Sequence, residues 1–334
     1  MSIFTKPDDN FIELLVSSAN DGDSMTGRAG TKLAKALELP LRQGVLVGSN
    51  IDDIFEKFNL APGATPEYPL DIIAPGEEGD YVAYTIPDEG RIPQRAVQGD
   101  YVMLPTFRTG NAVDWLLKHA RDARYDIVGR AIEGMMAGVT QKINNDAWHL
   151  LISAGADRNI LVYDADATAG FFTKRLVSLL KLVMKRNAGG NAQSVRRGKL
   201  TDLYVSAEAI EDIRNWDLSQ VDDITRRQLF TSSDDQLKGI FGDVNLHELY
   251  ELGEGQAYQT FLTAVLSGAL QASDLELVVG LDLQKKDSFV MPIREEFQVF
   301  EDPYLHRAGK GGVYGWMEYG IGCLDSRRVI LGSF

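Results

Sequence analysis

The 334-residue sequence predicts a mixed α+β fold, and three observations carry that expectation. Seven of the eleven prolines (62, 66, 69, 75, 87, 93 and 105) crowd one short stretch, and none lies between Pro105 and Pro292. From Asn111 to Gly155 apolar residues recur at close to the 3.6-residue helical period. After residue 200, short β-prone runs alternate with helical ones, and the chain closes on strands.

The proline-rich stretch comes first. Proline fixes φ and removes a backbone donor, so residues 62–105 read as an extended arm rather than a helix or a central sheet. Within it, Tyr81–Pro87 and Asp100–Pro105 are β-prone, with the turn-rich Asp88–Arg91 and Gln98–Gly99 between them. The pattern predicts a long two-stranded hairpin with a wide, charged tip.

Asn111 then reads as the N-cap of a helix, with Asp114 at its third position and Gly155 beyond its end. Val113, Leu116, Leu117, Ile132, Met135, Val139, Ile143, Ala147 and Leu151 mark its apolar stripe. Unbroken, it would be a rod of ~63 Å. A compact globule of the whole chain would be only about 50 Å across, so the rod implies a flattened or elongated subunit. The alternative is two shorter helices divided near Gly134 and Gly138, since glycine costs ~1 kcal/mol in a helix interior.

A second amphipathic helix is predicted over 168–187, with Thr168 as cap and Asn187-Ala-Gly-Gly190 as stop. Leu203–Ser206 reads as a strand feeding a helix over Ala207–Trp216. Val244–Leu249, Phe261–Leu266 and Leu275–Val279 are further β-like runs. The closing strands are Ser288–Ile293, Glu296–Phe300, Val313–Tyr319 and Arg328–Leu331.

Composition narrows the function. There are 34 basic residues against 48 acidic ones, net −14, the wrong sign for a protein that grips nucleic-acid phosphates over its whole surface. The single cysteine, Cys323, cannot close an internal disulfide. No Asn-x-Ser/Thr sequon occurs, the N-terminus lacks a signal-peptide pattern, and no apolar run approaches the ~20 residues of a membrane span. The chain reads as cytosolic in origin.

No catalytic, cofactor or metal site is expected, because each candidate motif fails. His119, His149, His247 and His306 lack metal-ligand spacing, and each reads as a structural or surface residue. Gly22-Asp-Ser-Met-Thr26 has threonine where a nucleophile elbow needs glycine. Ala308-Gly-Lys-Gly-Gly-Val-Tyr-Gly315 has Gly311 where a phosphate loop needs Ser or Thr after its lysine, here Lys310. It reads instead as a turn between two strands or as a subunit-contact loop. Asp164-Ala-Asp166 lacks the glycine and glutamate of a calcium loop, and Cys323 reads as a buried thiol.

One charge feature survives. Lys174, Arg175, Lys181, Lys185, Arg186, Arg196, Arg197 and Lys199 follow one another without an intervening acid, and 202–223 then carries seven carboxylates against Arg214 alone. Two readings stand: a solvated helix face and loop, or charge complementarity with neighbouring copies or an anionic partner.

The order of elements resembles the major capsid protein family of tailed bacteriophages, the Hong Kong 97-type fold. The residues that carry the resemblance are the hairpin Tyr81–Phe107 leading into the helix from Asn111, Leu203–Ser206 with Ala207–Trp216, and Ile240-Phe-Gly-Asp-Val-Asn245. The tail Gly315-Trp-Met-Glu-Tyr-Gly-Ile-Gly-Cys-Leu-Asp325 with Arg328-Val-Ile330 completes it.

The resemblance implies an N-terminal arm over 1–75, an extended hairpin loop over 76–110 and a spine helix over 111–155. It places an axial domain at 156–285 and the C-terminal strands of a peripheral domain at 286–334. Copies of the chain would form hexamers and pentamers of an icosahedral shell around a packaged double-stranded DNA genome, in a virion assembled in the host cytoplasm. The modest arm implies that scaffolding comes from a separate protein. A portal, and where present a decoration protein, would be further partners; DNA would be enclosed without tight binding, and no membrane is implied. The family's type member links subunits through a lysine of the extended loop, but here no lysine lies between Lys57 and Lys118, so no such cross-link is expected. Glu89, Arg91 and Arg95 on the hairpin, Arg196 and Arg197 in the basic run, and Lys310 are the candidate subunit-interface residues. The alternatives are an encapsulin-like nanocompartment shell and, in another class, an acidic oligomeric α/β hydrolase.

Overall fold

The computed structural model describes residues 16, 37, 51–61, 63–70, 100–122, 125–158, 160–168, 170–187, 198–216, 221, 244–253, 255–265, 276–284 and 286–334. In chain order the elements used below are β1 (Glu56–Asn59), β2 (Glu67–Leu70), β3 (Asp100–Met103), β4 (Phe107–Leu116), α1 (Leu117–Arg121), α2 (Tyr125–Ala156), β5 (Leu161–Tyr163) and α3 (Lys174–Asn187). They continue with β6 (Asp202–Val205), α4 (Ala207–Arg214), β7 (Asn245–Glu248), α5 (Ala257–Val265), β8 (Leu277–Leu281), β9 (Phe289–Glu301), β10 (Lys310–Tyr319), β11 (Gly322–Cys323) and β12 (Val329–Ser333). The described residues divide into two units. One draws on Met1–Glu67, Met103–Ala147 and Val290–Gly322, the other on Tyr68–Val102, Trp148–Phe289 and Cys323–Phe334.

The first unit is built on a sheet ordered β1-β9-β10-β4, with β11 also paired to β9. β10 alternates cleanly: Val313, Gly315, Met317 and Tyr319 are buried, while Tyr314, Trp316 and Glu318 on the other face are half-exposed. Its buried face shares a core with one stripe of α2, where Ile132, Met135, Val139, Ile143 and Ala147 recur at helical spacing. Each of the Ile, Met and Val side chains contributes roughly 1.5–3 kcal/mol by leaving water.

The helix does not start at Asn111. Residues 107–116 are strand β4, antiparallel to β10 with Val113 opposite Val313 and Asn111 opposite Gly315. Thr109, Asn111, Val113 and Trp115 form its inward, period-2 row. The Asn111 side chain caps no helix; its Nδ2 donates to the Met135 carbonyl of α2 at 3.3 Å, and its Oδ1 accepts from Ala112 N at 2.8 Å. The long helix begins at Tyr125, after the short α1, so the rod is 32 residues and ~48 Å. It runs unbroken through Gly134 and Gly138. At Gly138 a Cβ would sit 3.0 Å from Asn111 Nδ2, so the glycine gives β4 room against the helix.

The second unit centres on a sheet ordered β5-β12-β8-β6-β7. β6, β8 and β12 are buried at every position, which requires cover on both faces. On one face Leu203, Val205, Val278 and Ile330 pack with Leu176, Val177, Leu180 and Met184 of α3 and with Ala209, Ile210 and Ile213 of α4. On the other, Trp148 of α2 meets Tyr204 edge-on at 4.8 Å and stacks on Tyr258 of α5 at 6.1 Å. Ser206 follows β6 and caps α4, its hydroxyl accepting from Ala209 N at 3.2 Å. The expected strand limit at Ser206 is therefore a cap, and the helix stops at Arg214 rather than Trp216.

Other expectations also change. α3 starts at Lys174, not near Thr168, because the Thr173 hydroxyl accepts from Leu176 N at 3.2 Å. Phe261–Leu266, read as β-like from its composition, falls in α5 up to Val265, where Tyr258 and Leu262 supply a buried i, i+4 pair. The two closing runs 288–293 and 296–300 are one strand, β9. β3 pairs with β2, whereas Tyr81–Pro87, the other expected hairpin arm, lies outside the described residues.

Candidate functional site

No catalytic constellation assembles among the described residues. No group of three or more His, Cys, Asp or Glu side chains there is placed to hold a metal ion. Burial pushes the Cys323 thiol up to about 12, with the Asp325 charge adding to it, so the group is protonated at neutral pH and a poor nucleophile. No described helix is long and apolar enough to cross a membrane. What the structure presents instead is two kinds of surface.

The first is the outer face of the β1-β9-β10-β4 sheet. Strand alternation places Tyr314 and Trp316 of β10 on that face beside Phe300 of β9; Phe300 stacks on Tyr314 at 5.6 Å and on Trp316 at 4.6 Å. Gly110 of β4 stands opposite Trp316, where a Cβ would come within 2.7 Å of the Gly315 carbonyl. The Arg108 guanidinium lies 5.2 Å from the Trp316 ring centroid, a cation–π contact. Glu318 collects two cations and a hydroxyl around this patch: Arg294 Nη1 donates at 3.1 Å, Arg108 Nη2 lies at 3.8 Å, and Thr106 Oγ1 donates at 2.8 Å.

Lys310 opens β10 at the far end of the same sheet. Its Nζ donates to Asp114 Oδ2 at 2.6 Å, across the β4–β10 pair, and holds that carboxylate below its usual range. The glycines behind it are packing positions as well as turn residues. Gly309 takes a φ of +67° at the turn, whereas a Cβ on Gly312 would meet Leu305 Cδ1 at 2.5 Å and the Val113 carbonyl at 2.8 Å.

The second surface is the solvent face of α3. Lys174, Arg175, Ser178, Leu182, Lys185 and Arg186 are its exposed positions. Arg175 pairs with Asp166 and, at 3.7 Å, with Asp164, so the Asp164–Asp166 turn is an anchor for α3. Glu89, Arg91, Arg95, Arg196 and Arg197 lie outside the described residues.

The structure also brings together a group that no motif announced. Asp202 Oδ1 takes His247 Nε2 at 2.9 Å and Asn245 Nδ2 at 3.1 Å, and the His247 ring stacks on Tyr204 at 4.7 Å. Burial alone would raise the Asp202 carboxyl, but the hydrogen bonds from His247, Thr201 and Asn245 outweigh it and hold the group below its ordinary value. The parallel register of β6 on β7, Asp202 opposite Asn245 and Tyr204 opposite His247, builds this cluster.

No protein-family model matches the chain, and no curated protein matches it in sequence. Solved structures do match it. A chain of Microbacterium phage Oxtober96 superposes with a TM-score of 0.57 at 12% identity, over 86% of this chain and 90% of that chain. A chain of Mycobacterium phage Adephagia gives 0.54 at 12% identity, over 85% and 89%. The cyanophage Pam1 capsid asymmetric unit gives 0.53 at 14% identity, over 84% and 88%. Matched over most of its length by such chains, this mixed helix-and-sheet protein has the Hong Kong 97-type fold, that of the phage major capsid proteins it resembles.

Proposed function

We propose that the chain is the major capsid protein of a tailed bacteriophage, a structural rather than catalytic protein. Copies assemble into hexamers and pentamers of an icosahedral shell that encloses double-stranded DNA. The observation that carries this reading is the fold match over 86% of this chain and 90% of a phage chain. In this reading the spine helix and the strands of 286–334 serve as the peripheral domain and 156–285 as the axial domain, to whose sheet β12 is joined by its pairing with β8. Residues 1–75 act as arm and 76–110 as extended loop. A net charge of −14 suits a container, because a wall that bound phosphates tightly would hinder packing and release of the genome. A separate scaffolding protein and a portal complete the assembly.

Electron microscopy of the purified protein tests the proposal. Closed polyhedral shells or capsomer rings are expected, and a small discrete oligomer would overturn it. Recovery of a cargo enzyme in place of nucleic acid inside shells from the native host would reassign the chain to a cellular compartment. Because no lysine lies between Lys57 and Lys118, mature shells should run as single-chain monomers on a denaturing gel, without a ladder of loop-lysine cross-links.

A further inference from the structure

In the second unit, opposite edges of one sheet carry surfaces of opposite charge. At the β5 edge lies α3, which packs on β5 and β12. Its buried stripe is Leu176, Val177, Leu180 and Met184, and its outer stripe is basic, with Lys174, Lys185 and Arg186 around Leu182, itself 45% exposed. At the other edge β7 ends and Tyr250 follows, 72% exposed. Glu248 and Glu251 flank it in sequence, both exposed. Exposed Glu208 joins them: its Oε2 lies 3.0 Å from where a Cβ on Gly253 would stand. Four strand spacings, ~19 Å, separate the two edges.

Each surface has an apolar centre and a charged rim, and the rims are complementary. We propose that the basic face of α3 in one copy docks on the acidic edge around Tyr250 of a second copy, with Leu182 seated against Tyr250. A contact between two different patches of the same chain is head-to-tail, and repetition closes a ring when the rotation fits. The occupant is a second copy because both halves of the match lie on this chain; a nucleic acid would engage the basic face and leave the acidic edge unmatched. This inference rests on the shell reading and specifies one contact within it.

Charge-swapped full-length variants test it, with sedimentation velocity and microscopy at low ionic strength as the readout. Lys185→Glu with Arg186→Glu, and separately Glu248→Lys with Glu251→Lys, should each lower the assembled fraction roughly tenfold, and all four changes in one chain should restore it. Far-UV circular dichroism confirms that each variant is folded. Lys185→Gln with Arg186→Gln, and Leu182→Ser, provide milder variants that should lower assembly in the same direction. Assembly of both charge-reversed chains at wild-type levels, or no recovery in the combined variant, would overturn the docking. So would loss of a duplex DNA probe from the basic-face variant with rings intact. If the wild-type chain itself forms neither rings nor shells, the shell reading falls, and this inference with it.

Discussion

Tyr319 on β10 donates its hydroxyl to Asp146 Oδ2 on α2 at 2.9 Å, joining sheet and helix in the first unit. Burial holds the phenol well above its ordinary range, and the nearby Asp146 charge acts in the same direction. Asp146 also takes Lys142 Nζ at 2.6 Å, so the carboxylate keeps a partner when the tyrosine hydroxyl is removed. Tyr319→Phe should therefore cost only about 1–2 kcal/mol in denaturant unfolding, since the ring keeps its packing against Phe107 at 5.0 Å. Asp146→Ala should cost more, because it removes the acceptor of the buried Tyr319 hydroxyl, which keeps only its hydrogen bond with Thr109, and the partner of Lys142 as well. Equal losses in the two variants would contradict this account.

Two glycines should respond in opposite directions to alanine. Gly134 sits inside α2 with nothing within 4 Å of the position a Cβ would take, so Gly134→Ala should stabilise by about 0.5–1 kcal/mol through helix propensity. Gly315 lies in β10, where a Cβ would stand 2.6 Å from Phe297 Cζ and 2.7 Å from the Gln298 carbonyl. The backbone carbonyl cannot rotate away, so Gly315→Ala should destabilise by about 1–3 kcal/mol. Thermal unfolding of the two variants gives the comparison directly.

These positions also show where the sequence is legible and where it is not. The apolar stripe of α2 and the strands β6, β8, β10 and β12 repeat locally, and their periods show in short windows. The beginning of α2 does not. Asn111 and Asp114 mimic a helix start, while the competing alternation Thr109, Asn111, Val113, Trp115 acquires its meaning only from β10, which lies about two hundred residues away in the chain. The charged Arg294-Glu295 between the expected runs 288–293 and 296–300 suggests a break in β9. The strand instead continues past them, with the Pro292 carbonyl accepting from Gly320 N at 2.8 Å and the β10 pairing shifting register nearby. For the sites, the basic character of α3 is legible as a run of cations without an intervening acid. The partners of Lys310 and His247, namely Asp114 and Asp202, depend on strand register and are not.

Cys323 should be nearly inert to thiol reagents in the folded protein. With its pKa pushed up to about 12, the thiolate at neutral pH is on the order of one part in 10⁵. A chromogenic disulfide reagent should react slowly under native conditions and stoichiometrically after unfolding. Rapid native labelling would mean that the β11 segment opens readily.

Asp202 predicts the acid behaviour of the second unit. Its folded carboxyl is held below the unfolded value by His247, Thr201 and Asn245, against the opposing effect of burial. A depressed folded value means that the contribution is present above the ordinary carboxylate range near ~3.9 and is lost as pH falls through the folded value. Stability should therefore decline below about pH 5 as the unfolded state takes up the proton first. Asp202→Asn removes the titrating group but can still accept a hydrogen bond from Asn245, so its cost at neutral pH should be about 1 kcal/mol, with a shallower acid limb than wild type. Denaturant midpoints measured between pH 3 and pH 7 for both proteins separate the alternatives: parallel curves would show that Asp202 does not contribute to the acid response, and convergence at low pH is the expected result.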